Sequence, residues 1–162
     1  SLVKKYKKFI IESLSKNELL LKSFSSKVTK GSTLLHIRRG DYINLNENLS
    51  NQFYQKALNY CKNNIDNFNY QVFTDDYKWV TANKLFKDAT YIHSDNISIK
   101  NTIKTFGEML NNENFIIGNS TFPLIASILS EKENSKIIVA DPWFINKKRN
   151  LNIPENWIKV ER

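Results

Sequence analysis

The 162-residue chain carries one cysteine, four glycines, three prolines and two histidines. A single cysteine excludes an intrachain disulfide and a thiolate metal cluster, which fits a reducing compartment. Cys61 sits in FYQKALNYCKNN at an apolar helical position and reads as buried filler, not a nucleophile. No apolar run approaches the ~20 residues of a membrane span, and no secretory leader pattern is visible. Glycine is scarce, and neither GxGxxG nor GxxxxGK[ST] occurs, so a dinucleotide fingerprint and a P-loop are both unsupported.

Hydrophobic residues make up 41% of the chain, enough for a core and too many for a disordered segment. The length fits one compact domain. Lys and Arg number 24 against 16 Asp and Glu, a net charge of +8. That excess points to anionic partners, or to the surface colouring of a Lys- and Asn-rich chain. Nucleic acid is disfavoured as the partner. The basic residues are scattered, and no RNP, KH or helix-turn-helix pattern appears.

Short apolar runs alternate with amphipathic stretches. Strands are expected at 32–37, 70–74, 89–93, 114–118 and 136–140, and helices at about 50–64, 77–86, 98–112 and 122–130. Two more helices, 2–14 and about 18–24, precede the first strand. The first 30 residues thus read as helical, ahead of the alternation over 31–162. This alternation predicts an α/β fold, a Rossmann-like parallel sheet with helices on both faces. Ligands in such sheets bind beyond the carboxyl ends of the strands. The residues expected there are polar: Arg38, Arg39 and Asp41; Thr74, Asp75 and Asp76; Ser94 and Asp95; Asn119, Ser120 and Thr121; and Asp141.

The stretch TLLHIRRGDYI, 33–43, places two arginines side by side at a strand end. Guanidinium groups match phosphate oxygens bidentately and keep their charge. Gly118-Asn-Ser-Thr-Phe leads from a strand into a helix that Ser120 or Thr121 would cap, leaving amides for an anion. Together these make a diphosphate clamp. The competing reading pairs the arginines with Asp41 or Asp75. His93 reads as a satisfied surface histidine, and Trp79, Trp143 and Trp157 as packing residues.

HIRRGDY, 36–42, resembles the HxRRxD motif of the alpha-1,2-fucosyltransferases, glycosyltransferase family 11. YQVFTDDYKW (70–79), FIIGNSTF (115–122), IIVADPWF (137–144) and PENWIKV (154–160) resemble further family segments, in the family's order. The resemblance spans roughly residues 32–160. It implies a GT-B architecture of two Rossmann-like halves, of which this chain resembles the second. The first half would be a missing partner domain and the chain a fragment. It further implies an inverting, metal-independent transfer of fucose from GDP-fucose to a glycan acceptor, with no cofactor. Arg38 and Asp41 fall in the catalytic motif. His36, Arg38, Arg39, Asp75, Asp76, Asn119, Ser120 and Thr121 fall at donor-binding positions. Two departures stand out. Pro123-Leu124-Ile125 replaces the family's Ser-Trp-Trp, and Thr105 takes the place of a usual Asp.

Asp75 and Asp76 invite a metal, but two arginines already supply the positive charge, so a metal-free site is expected. In 2–14, Lys4, Lys5, Lys7 and Lys8 oppose Leu2, Tyr6, Phe9, Ile10 and Leu14. This face is expected to dock on protein, with peripheral contact to an anionic membrane as the alternative. Either suits a cytoplasmic protein. A non-catalytic nucleotide-binding or interaction domain is the remaining functional alternative.

Overall fold

The computed structural model describes residues 2–25, 27–94, 99–145 and 153–162. Six parallel strands form one sheet in the order β3-β2-β1-β4-β5-β6. They are β1 (Ser32–Ile37), β2 (Asn69–Thr74), β3 (Tyr91–Ser94), β4 (Asn114–Gly118), β5 (Ile137–Asp141) and β6 (Ile158–Glu161). The helices are α1 (Leu2–Leu14), α2 (Glu18–Ser25), α3 (Gly40–Asn44), α4 (Asn51–Asn64), α5 (Tyr77–Ala82), α6 (Ile99–Leu110) and α7 (Thr121–Ser130). A 3-10 turn, Lys84–Phe86, completes the stretch expected as one helix over 77–86.

The central strands are covered on both faces, which is why β1 and β4 are buried at every position. Alternate side chains divide between two cores. Leu35, Ile37, Val72 and Ile116 pack with Phe53, Tyr54, Ala57, Leu58 and Cys61 of α4. Leu34, Phe73, Phe115 and Ile117 pack with Met109 of α6 and Ala126 and Leu129 of α7. Trp143 and Trp157 are buried in this second core. Helix α4 begins where Ser50 accepts the Phe53 amide at 3.2 Å, and its buried residues recur every three or four positions. At the start of β1, Gly31 takes φ +78. A Cβ there would lie 2.4 Å from the Asn67 carbonyl oxygen, so the turn requires glycine.

Helix α3 and strand β6 were not anticipated. Helix α3 buries no residue and so leaves no periodic trace, and β6 is a short edge strand. The apolar face of α1 also differs from expectation. Ile10, Ile11 and Leu14 pack on the second core, whereas Tyr6 and Phe9 are exposed. Lys7 turns inward, donating to the Glu131 carbonyl at 3.0 Å. The side chains of Leu2, Lys4 and Lys5, and all of Asp95, lie outside the described residues.

Candidate functional site

The strand order reverses between β1 and β4, and the crevice beyond their carboxyl ends is where a doubly wound sheet takes its ligand. The arginine pair enters this region from β1, and the Gly118–Thr121 turn enters it from β4.

The two arginines diverge. Arg38 Nε donates to Asp41 Oδ1 at 2.8 Å and Nη1 to Asp75 Oδ2 at 3.2 Å, with 37% of the side chain exposed. Its guanidinium lies 6.0 Å from the Tyr42 ring centroid. Partial burial works against its charge, but the Asp41 hydrogen bond and the Asp75 charge outweigh that and raise its pKa. Arg39 turns the other way. Nε meets Asp76 Oδ2 at 3.1 Å, and the guanidinium stacks 3.9 Å from the Trp79 ring, only 17% exposed. Trp79 thus carries Arg39 as well as packing against the first core.

Asp75 and Asp76 are held by N–H donors. Asp75 accepts the Arg39 amide at 2.8 Å and the Gly40 amide at 3.1 Å, satisfying the start of α3 from a different strand. A Cβ at Gly40 would lie 2.8 Å from Asp75 Oδ2, so glycine gives the loop this approach. Asp76 caps α5 through the Trp79 amide at 3.1 Å. With these donors and the two guanidinium groups around them, the carboxylates are poorly placed to ligate a cation. Among the described residues no group of three His, Cys, Asp or Glu could hold one.

On the β4 side, Gly118 adopts φ +60, and a Cβ there would meet the Leu49 Cδ1 methyl at 2.8 Å. Asn119 and Ser120 are buried and Thr121 is exposed. Ser120 occupies the capping position with extended dihedrals, but its hydroxyl makes no capping bond, unlike the expectation from sequence. Pro123, third in α7, has no amide to offer. Tyr42 Oη donates to the Asn119 carbonyl at 3.2 Å, and Asn119 Nδ2 donates to the Glu47 carbonyl at 2.9 Å. His36, 4% exposed, has an unpartnered Nδ1. Burial, with the nearby Arg38 charge, drives its pKa down to about 3, so the ring is neutral.

Beside edge strand β3, on the α6 face, lies an open pocket of about 590 Å³ lined by Gln71, Tyr91, His93, Lys104, Thr105 and Glu108, among others. His93 is more than a satisfied surface residue. It stacks on Phe73 with centroids 4.0 Å apart, bonds Glu108 through Nδ1 at 3.0 Å and Gln71 through Nε2 at 2.9 Å. Its pKa is lowered by burial, against the pull of Glu108. Glu47 and Arg162, paired at 2.6 Å, also lie among the site's loops. No sequence signal singled them out, because 115 positions separate them.

Residues 11–161 match the sequence profile described as Glycosyl transferase family 11. The chain belongs to this family. It is 29% identical over 142 residues to an alpha-1,2-colitosyltransferase of Escherichia coli, covering 81% of this chain and 48% of the relative. It is 27% identical over 135 residues to an O-antigen biosynthesis glycosyltransferase of Escherichia coli, WbnK, covering 80% and 44%. The chain thus spans about half the length of the curated relatives it matches. No solved structure matches it. The parallel six-stranded sheet agrees with the Rossmann-like domain expected from sequence.

Proposed function

We propose that this chain is the donor-binding half of a GT-B glycosyltransferase that transfers fucose, or a closely related deoxysugar, from a GDP-linked donor to a glycan hydroxyl. The observation that carries the reading is Arg38, part-exposed in the loop that follows β1 at the strand-order reversal. The family match supports the reaction class, and a relative named for colitose transfer supports a deoxysugar donor. On this reading the acceptor hydroxyl oxygen attacks the anomeric carbon opposite the diphosphate and releases its proton to solvent. The bond from that carbon to GDP breaks with inversion, and Arg38 takes the charge that grows on the departing phosphate. Asp41, 55% exposed, gives up Arg38 to the phosphate. Arg39 and Asp76 brace the loop. Asn119, Ser120 and Thr121 face the phosphates, and neutral His36 holds the loop side. No metal is required, because guanidinium and amide donors supply the positive potential.

A second reading rests on the chain's spanning half of its relatives: the half binds donor without transferring it. Calorimetric titration with GDP tests the common ground. Arg38→Ala should weaken GDP binding by about 1.5–3 kcal/mol, the scale of hydrogen bonds to charged groups, and EDTA should leave affinity intact. Unchanged affinity in a folded Arg38→Ala protein sinks the assignment. Product formation on adding a glycan acceptor separates transfer from binding alone.

A further inference from the structure

We propose that Glu47 and Arg162 are a positioning pair that sets the β4–α7 turn against the arginine loop, so that the second phosphate of a nucleoside diphosphate is read. The inference rests on the nucleotide reading above. Arg162 Nη1 donates to Glu47 Oε2 at 2.6 Å and to the Trp143 carbonyl at 3.0 Å, while Nη2 donates to the Glu47 carbonyl at 2.8 Å. The Glu47 carboxylate also accepts the Ile145 amide, at 3.1 and 3.2 Å to its two oxygens. The same Glu47 carbonyl accepts Asn119 Nδ2 at 2.9 Å, and the Glu47 amide returns to the Tyr42 carbonyl at 2.8 Å. The ion pair therefore fastens the segment after β1 to the one after β5, and the Glu47 backbone carbonyl that Arg162 also grips holds the segment after β4.

The pair is part-buried, its side chains 13% and 16% exposed. Removing two charges from water is costly, and apolar replacements of similar volume are often as stable. A largely desolvated pair that adds little net stability can still serve to fix geometry. Here the geometry fixed is that of Asn119, which is held from both sides: its side chain by Glu47 and its carbonyl by Tyr42 of α3. The residues after it, Ser120 and Thr121, open α7. The brace on Asn119 therefore bears on where Ser120 and Thr121 sit, and Ser120 adds no capping bond of its own.

The test compares GDP with GMP on the intact chain, by calorimetry, at a temperature where circular dichroism shows every variant folded. Wild type should favour GDP over GMP. Glu47→Gln and Arg162→Gln should each reduce that preference about tenfold. The double variant should fall no further than the worse single one, because the two act as a unit. Arg162→Lys should recover part of it. Cys61→Ala, in the last turn of α4 away from this edge, should lower the melting temperature and leave the preference alone. If wild type binds neither nucleotide, the nucleotide reading fails. If wild type prefers GDP and the folded variants keep the full preference, the pair is only structural and the inference is overturned.

Discussion

Arg38 and Arg39 are adjacent in sequence, yet each is neutralised by a different carboxylate, and this decides what each can do. Arg38 shares Asp75 with two backbone amides, but Asp41 is an exposed partner that an incoming phosphate can replace. Asp41→Asn should therefore keep or raise GDP affinity, by at most about 1 kcal/mol, the scale of an exposed ion pair. Asp75→Asn should lower both affinity and stability, the latter by about 1.5–3 kcal/mol, because α3 loses a charged acceptor for its amides. Calorimetry and urea unfolding of the two variants check this, and a large affinity loss in Asp41→Asn would show that Asp41 touches the donor. His36 makes a second residue-scale prediction. Its folded pKa, about 3, lies below the ordinary 6.5. Between those values the unfolded chain binds a proton that the native chain refuses, so stability falls as pH drops. From pH 6.5 to 5.0 His36 should account for about 1.5 kcal/mol of lost stability, since one pKa unit is worth ~1.4 kcal/mol. Urea unfolding at both pH values should show that share of the loss absent in His36→Asn.

At the scale of elements, the sequence was legible where burial leaves a pattern and illegible where partners come from far away. The runs STLLHI and NFIIG could only be strands covered on both faces, and both ends of each were readable. Helix α3 has no buried residue, and its first amides are satisfied by Asp75, some 35 positions on. Neither fact leaves a local trace. Sequence separation likewise hides Glu47 with Arg162, and His93 with Glu108 and Gln71. The arginine loop was legible as chemistry, but which carboxylate pairs with which arginine was not, because that depends on β1 lying beside β2. Helix α1 shows how a periodic face misleads. Five apolar residues share a stripe in sequence, yet the helix rests on the core through Ile10, Ile11 and Leu14. Ile10→Ala should cost about 1–2 kcal/mol, roughly half the range for a fully buried site. Phe9→Ser should stay within about 0.5 kcal/mol of wild type. Denaturant melts of the two variants distinguish docking through this face from any other orientation of α1.

At the scale of the whole molecule, two charge distributions compete. The chain carries +8, but the arginine loop itself holds two arginines against Asp41, Asp75 and Asp76. The attraction felt by a distant anion therefore comes from lysines spread over the surface, while the bound anion sits among cations already largely compensated. A domain of this length has a radius of gyration of about 15 Å. The Debye length is about 30 Å at 0.01 M salt and about 8 Å at 0.15 M. At the lower salt the whole net charge reaches an approaching nucleotide, and at the higher salt only the nearest groups do. Raising NaCl from 10 to 150 mM should therefore slow GDP association by about tenfold, the low end of electrostatic steering. Dissociation should change by less than about twofold if, as proposed, a bound phosphate replaces Asp41 as the partner of Arg38 rather than adding an ion pair. Stopped-flow measurement of both rates across that range separates the contributions. A dissociation rate that climbs steeply with salt while association holds constant would mean that the nucleotide rests on uncompensated cations, and the paired arrangement of Arg38 would not be the state that binds it.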